Sequence, residues 1–358
     1  MPTQPATGDV LFFMPDIGGF TKFVAETEVR HSQHIIKELL EILVDANQLG
    51  LKVSEFEGDA VLFYRSGAPP ALADLVEQVR RMFVDFHSHL RQFEFTRVCQ
   101  CGACAGASRM ALKFVAHYGS ARTMQVKGRT KFIGKDIIVA HRLLKNSVPE
   151  AQYLLVTQRT LDRIGADGAA MASFVAGHNA YDELGNIDYR YKSLAGFLDE
   201  VKVQPPAPFR LRKPLQVMQI VRHVNAPAEK VYQLLIDLPA RMRWIDGVKS
   251  IEFRDDSANH VGKIHRCVRD GNDPEVVTSD VRISDTTMEF WETDVKKMGA
   301  CRFLLTKTPQ DTTEIALEFY VRNNAIARLV FRMLLERKLK LGFERSLANL
   351  AAVCETAA

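Results

Sequence analysis

The chain has 358 residues, 47% of them hydrophobic and 25% charged, which excludes a disordered polymer and, at roughly 150 residues per domain, predicts two domains. Its 47 Lys and Arg against 43 Asp and Glu leave a net charge of +4, too mild to imply a nucleic-acid partner, and the basic excess lies wholly beyond residue 208. Six cysteines exclude a disulfide scaffold, no run of about 18 apolar residues predicts a membrane span, and MPTQPATGDV lacks the charged segment of a secretory signal; the expected location is cytoplasmic.

In chain order, Val10–Met14 is predicted as a short apolar strand. Ile35, Ile36, Leu39, Leu40 and Leu43 follow helical spacing, with Ser32 as the expected N-cap. Val53–Phe56 and Ala60–Tyr64 flank the turn Glu57-Gly58-Asp59 and predict a hairpin. Leu72, Leu75, Val76, Val79, Phe83, Phe86 and Leu90 mark a second helix. Leu112–Tyr118 and Thr123–Lys127 read as another strand pair, and Asp136–Lys145 as a helix. The order βαββαβ is the ferredoxin-like arrangement, extended to about residue 200. Residues 201–214, VKVQPPAPFRLRKP, form a proline-stiffened linker.

Beyond it the pattern changes. A strand, Leu215–Val224, precedes two short helices around Ala228–Ile236 and Pro239–Trp244. Six strand-like runs follow, at Ser250–Arg254, Lys263–Arg269, Val276–Ile283, Thr287–Thr293, Cys301–Thr306 and Glu314–Val321. One long helix runs from Ala325 to about Val353. These pieces predict a curved antiparallel sheet around a helix. The fold class is therefore α+β throughout, with domains 1–200 and 215–358.

The chemically richest segment is Phe13-Met-Pro-Asp16-Ile-Gly18-Gly19-Phe20-Thr21. Glycines leading into a helix let a phosphate approach free N–H groups, and a neighbouring carboxylate suits Mg²⁺. The Glu57-Gly58-Asp59 turn can meet this segment, which would bring Asp16 and Asp59 into one metal site. Both segments also serve as ordinary turns, since Asp and Gly are common turn residues.

FMPDIGGFT, FEGDAVLFY, and LKFVAHYGSA with KFIGKDIIVAHRLL, in that order, resemble the motifs of class III nucleotidyl cyclases over roughly residues 9–200. The resemblance implies that Asp16, the Ile17 carbonyl and Asp59 hold two Mg²⁺ or Mn²⁺ ions. It implies that Gly18, Gly19 and Phe20 offer amides to a nucleoside triphosphate, and that Arg142 is the catalytic arginine. It also implies that Glu55 and Lys131 fall at the base-reading pair and that a homodimer completes the site. The chain departs from the family in three places. Ile138 stands where the family has its catalytic asparagine, Lys131 replaces an Asp or Cys and can pair with Glu55, and Lys192 is at best a displaced phosphate-contacting lysine. Two functions follow as alternatives: a divergent nucleotide-binding signalling protein, with or without cyclic-nucleotide formation, whose second domain senses a hydrophobic ligand, or a hydrophobic ligand- or lipid-binding or transfer protein with an inactive cyclase-like dimerisation domain.

Cys99, Cys101 and Cys104 form a C-x-C-x₂-C cluster that the resemblance does not explain. Its readings are three reduced thiols in a tight connection, or a Zn²⁺ site with His87 or His89 as fourth ligand. Cys267, Cys301 and Cys354 are expected to pack in the core.

The second domain resembles the START-like helix-grip superfamily of polyketide cyclases and lipid-transfer proteins, through VMQIVRHVNAPAEKVYQLLIDLPARMRWIDGVKSIEF and the final helix. The resemblance implies a pocket for an apolar small molecule or lipid. On the helix, Phe331, Leu335, Leu339, Phe343, Leu347 and Leu350 form one stripe. Arg328, Arg332, Arg337, Lys338, Lys340 and Arg345 make it basic, so peripheral membrane contact is an alternative to a solvated basic face. Glu289, Glu292, His265 and Tyr320 are available polar groups for the pocket, and spacing singles out none of them.

Overall fold

The computed structural model describes residues 7–20, 23, 29–100, 102–127, 129–203, 205, 207–254, 259–271, 273–323 and 331–356. The chain falls into two compact units. The first comprises Met1–Gln92 and Gly102–Gln204, the second Phe93–Cys101 and Pro205–Ala358. The division near Gln204 coincides with the proline-rich linker. The assignment of Phe93–Cys101 to the second unit departs from the two contiguous domains expected.

The first unit begins with β1 (Thr7–Gly18) and α1 (Val29–Asp45), then the hairpin β2 (Lys52–Glu57) and β3 (Ala60–Ser66), and α2 (Leu72–Thr96). β4 (Ala111–Val126), β5 (Arg129–Ile133) and α3 (Lys135–Arg142) follow, with β6 (Tyr153–Thr157), α4 (Gln158–Ile164), β7 (Val175–Tyr181) and β8 (Gly185–Ser193) completing it. The sheet runs β2-β3-β1-β4-β6-β8-β7. Its first four strands are mutually antiparallel, with β4 and β3 flanking β1. That is the ferredoxin-like order, and it is α+β as expected.

Both faces of β1 are covered, which explains its unbroken apolar run. Val10, Phe12 and Met14 pack with Ile137, Val139 and Leu143 around α3. Phe13 points the other way and stacks on Phe114 at 5.7 Å, the alternation a strand imposes.

Two local expectations are corrected. Ser32 lies inside α1, so it does not cap the helix. Leu112–Tyr118 and Thr123–Lys127 are not partners; both belong to the single strand β4, whose hairpin partner is β5. Gly119 and Ser120 suggest a break, but the strand passes through them because Gly119 leaves room for the Asp136 carboxyl, which a Cβ there would overlap. Asp136 then accepts from the Ser120 amide at 2.8 Å.

In the second unit, β9 (Pro214–Val224) leads to α5 (Ala228–Ile236) and a 3₁₀ turn, Pro239–Arg243. The strands β10 (Ser250–Phe253), β11 (Ile264–Val268), β12 (Val276–Ile283), β13 (Thr287–Asp294), β14 (Gly299–Lys307) and β15 (Thr313–Arg322) form one antiparallel sheet ordered β10-β11-β12-β13-β14-β15-β9. The closing helix α6 is Glu336–Thr356, preceded by a π turn at Phe331–Leu335; residues 324–330, where that helix was expected to begin, lie outside the described residues. Leu347, Leu350, Ala351 and Cys354 on α6 are buried. This is the helix-grip arrangement. Among the described residues no helix is long and apolar enough to cross a membrane.

Candidate functional site

In the first unit β1 runs further than its apolar core predicts and carries Asp16 as a paired strand residue, opposite Ala60 on one side and Lys113 on the other. Strand alternation sets Asp16 on the same face as Phe12 and Met14, toward α3. The Ile17 amide donates to the Asp59 carbonyl at 3.1 Å, which ties the hairpin turn to the end of β1. Gly58 in that turn has φ +64° and Gly19 has φ +87°, conformations that favour glycine. The Phe23 amide donates to the Gly19 carbonyl at 3.0 Å. Gly19 is exposed, Gly18 and Phe20 are half-buried, and Thr21 lies outside the described residues.

Asp16 and Asp59 therefore come together, as their sequence context predicts. Burial and then the nearby Asp16 charge push the Asp59 carboxyl above its ordinary value. A third group sits with them, and sequence reasoning missed it. The Lys113 ammonium lies 3.0 Å from Asp16 Oδ2 and donates to the Leu144 carbonyl at 2.9 Å. It supplies a cation where the resemblance implies divalent ions. With one Asp16 oxygen held by an ammonium, a divalent ion at this pair would have to share or displace Lys113. The missed signal was Lys113 itself, a lone charge at the edge of the apolar run Phe114–Ala116.

A second ion pair and several neutral contacts engage other groups of the unit. Lys131 Nζ stands 3.4 Å from Glu55 Oε2, the ion pair that the sequence offered as an alternative to base reading. His141 Nδ1 is 2.9 Å from Glu57 Oε2. Arg142 is exposed at the end of α3, and its carbonyl accepts from the Tyr181 hydroxyl at 3.0 Å. Ile138 is 49% exposed on the same helix, with no polar atom to orient a ribose. Lys192 donates to Ser173 Oγ at 2.8 Å.

Cys99 and Cys104 are buried and form no disulfide, and Cys101 lies outside the described residues. The Cys99 thiol contacts Gln233 Oε1 at 3.4 Å. Among the described residues, no three His, Cys, Asp or Glu side chains gather as a metal site. His87 and His89 are engaged elsewhere, at 2.6 Å from Gln152 Oε1 and 3.1 Å from Glu38 Oε2. Burial lowers the His87 imidazole to about 4, so it is neutral at pH 7.

The second unit holds a cavity of about 540 Å³ between its sheet and the first half of α6. The apolar stripe of the final helix divides here. Phe331, Leu335, Leu339 and Phe343 line the cavity, while Leu347 and Leu350 are fully buried in the core. Cys267 and Cys301 also line it, a correction to their expected role as plain core packing, although Cys354 is buried. Burial pushes both cavity thiols up, so neither is a thiolate at neutral pH.

One polar cluster stands at the cavity wall. Arg241, 2% exposed, donates through Nε and Nη2 to the Leu235 carbonyl at 3.1 and 2.9 Å. Its Nη2 lies 2.6 Å from Glu292 Oε1 and its Nη1 is 3.0 Å from His265 Nε2. Burial alone would raise the Glu292 carboxyl, but Arg241 and His265 outweigh it and hold it at about 2. Of the four polar candidates from the sequence, His265 and Glu292 meet here. Glu289 and Tyr320 join a separate network, in which Arg302 bridges Glu289 at 2.8 Å and Glu318 at 3.0 Å and the Tyr320 hydroxyl donates to Glu318 at 2.6 Å. Strand parity separates them, since residues 289 and 292 on β13 project to opposite faces. Arg241, inside the short 3₁₀ turn Pro239–Arg243, carried no periodic signal.

Residues 216–355 match the family model described as polyketide cyclase / dehydrase and lipid transport, and residues 36–153 match one described as a protein of unknown function. A curated relative, the uncharacterized protein Rv2561/Rv2562 of Mycobacterium tuberculosis, is 34% identical over 122 residues, which are 34% of this chain. The match spans 56% of that relative's length. Among solved structures, the guanylate cyclase domain of RhGC from Catenaria anguillulae in complex with GTP is 18% identical, with 52% of this chain and 97% of that one covered and a TM-score of 0.35. The adenylyl cyclase CyaB from P. aeruginosa is 17% identical, with coverages of 53% and 96% and the same TM-score of 0.35. The strand order gives the first unit a ferredoxin-like core, and the second unit, a helix-grip fold, is similar to the polyketide cyclase and lipid-transport family model.

Proposed function

We propose that this protein binds an apolar small molecule or lipid in the cavity of its second unit, and that its cyclase-like unit does not form cyclic nucleotides. The observation that carries the first statement is the cavity of about 540 Å³ lined largely by aliphatic and aromatic side chains. Its volume falls in the range of small-molecule sites, roughly 300–1,000 Å³. The lipid-transport description of the matching family model supports the same reading.

The second statement rests on chemistry. Transition-state stabilisation needs donors and cations aimed at the reacting phosphate. Here Lys113 is spent on Asp16 and Lys131 on Glu55, and Ile138 offers no donor. A role in self-association suits this unit better. Phe56, Met124, Val126, Ile133 and Ile138 are all large apolar side chains exposed on it.

Titration of the full chain with Nile red tests the first statement. The dye should bind saturably, and Ala300→Phe, which projects a ring from the cavity wall, should weaken binding at least about tenfold. Saturable binding unaffected by Ala300→Phe would place the dye elsewhere and overturn the reading. Cyclic product from ATP or GTP with Mn²⁺ would overturn the second statement.

A further inference from the structure

We infer that the cavity selects an uncharged ligand and rejects carboxylates and phosphates; this rests on the reading that the cavity holds a ligand. Two cations line the described wall, Arg241 and Arg269, against three anions, Asp273, Glu292 and Asp294. Each cation has its own carboxylate. Arg241 is matched by Glu292 at 2.6 Å, and its other N–H groups engage Leu235, His265 and Cys267. Arg269 Nε lies 3.1 Å from Asp273 Oδ1, and the Arg269 amide holds the other oxygen of Asp273 at 2.7 Å. The third anion, Asp294, is fixed in place by the amides of Lys296 and Met298 at 2.8 and 3.0 Å.

Among the described residues, an anionic headgroup entering this space finds no cation without a carboxylate already beside it. It would have to displace Glu292 from Arg241 and leave that carboxylate buried without its partner, which is strongly unfavourable. A headgroup left unpaired fares no better, because a buried charge without a counter-ion is costly. An uncharged molecule meets neither obstacle. The walls it meets are Trp244, Phe303, Phe319 and Phe343, ring faces and edges that favour a ligand bearing rings of its own. The ligand class is thus a neutral, ring-containing apolar molecule rather than a fatty acid or a phospholipid headgroup.

A matched pair of fluorescent probes separates the two. 1-Pyrenebutanol and 1-pyrenebutyrate share a ring system and differ in charge at pH 7.5. The full chain should bind the alcohol at least tenfold more tightly than the carboxylate. Acidifying the buffer toward the acid's own pKa should tighten binding of the acid and leave the alcohol unchanged. Glu292→Gln, which frees Arg241, should narrow or reverse the preference. If that variant does not fold, the comparison in the wild-type protein at two pH values still decides. Equal or tighter binding of the carboxylate at pH 7.5 overturns the charge rule alone. Failure to bind either probe, together with failure to bind Nile red, overturns the ligand-binding reading beneath it.

Discussion

Lys113 decides what the acidic pair in the first unit can do. Its side chain is 22% exposed and that of Asp16 13%, so the ion pair is shielded enough to matter. Removing one member of such a pair leaves the other uncompensated. Lys113→Met should therefore destabilise the fold, by roughly 1–3 kcal/mol on the scale of shielded pairs, and should open Asp16 to a replacement cation. Mn²⁺ affinity, followed by the loss of the free-ion EPR signal, should rise at least about tenfold over wild type, and added Mn²⁺ should restore part of the lost Tm. Equal Mn²⁺ binding by both proteins would mean that the lysine is not the resident cation. Asp59 gives a complementary test with a definite sign. Burial first and Asp16 second push its carboxyl up, so the folded chain holds that proton more readily than the unfolded chain does. The charged form therefore costs stability above the ordinary value of 3.8, and this cost fades as the pH falls. Asp59→Asn should raise Tm at pH 7 by on the order of 1–2 °C, with the gain shrinking as scans are run toward pH 4. A gain that persists unchanged at acid pH would show that the effect is not electrostatic.

At the level of elements, β4 and α3 are locked together through one carboxylate. Asp136 Oδ1 takes His117 Nε2 at 3.1 Å and Arg159 Nη1 at 2.9 Å, while Oδ2 takes the Ser120 amide. His117 continues to Thr157 at 3.0 Å and Thr157 to Thr160 at 2.8 Å, so the strands β4 and β6 and the helices α3 and α4 share one buried network. Burial works against the Asp136 charge, yet His117, the Ser120 amide and Arg159 together leave its carboxyl below the ordinary value. Gly119 is the position that admits this carboxyl. Gly119→Ala should cost about 2–4 kcal/mol, in the range of overpacking plus a broken buried network, visible as a lower urea midpoint. Gly119→Ala with an unchanged midpoint would show that the sheet yields at little cost. The same region shows which features the sequence carried. Apolar spacing reported α2 and the hairpin at Gly58-Asp59, and the strands of the second unit emerged within a residue or two, because period and turn chemistry are local properties. The continuity of β4 was hidden, since Gly119-Ser120 reads as a turn unless Asp136 is known to approach from another element. Lys113 and Arg241 were hidden for the same reason. A single charged residue acquires its role only from partners distant in sequence, and no periodicity records such a partner.

At the scale of the whole molecule, nine residues belong to a unit that their sequence position does not suggest. Phe93–Cys101 closes onto the second unit, although the linker lies more than a hundred residues later. The Tyr232 hydroxyl donates to the Val98 carbonyl at 2.9 Å, and the Val261 amide donates to the Thr96 carbonyl at 2.7 Å. Arg97 forms an isolated β-bridge with His260, and the Cys99 thiol reaches Gln233. Two members of the cysteine cluster are thereby assigned to different units, Cys99 to the second and Cys104 to the first. The second unit is thus not the contiguous stretch 215–358, and its stability includes bonds to a segment encoded before residue 102. Tyr232 is fully buried, so Tyr232→Phe keeps its packing and removes only the donor. The Val98 carbonyl would lose its partner inside the protein, at a cost of about 1–3 kcal/mol. Both tryptophans, Trp244 and Trp291, lie in the second unit, so tryptophan fluorescence reports on that unit alone. In urea titrations of the full chain, the fluorescence midpoint of Tyr232→Phe should fall below that of wild type with the slope unchanged. An unmoved midpoint would mean that the segment rests on the second unit without supporting it, and that a fragment cut at the linker would be as stable as the unit in the intact chain.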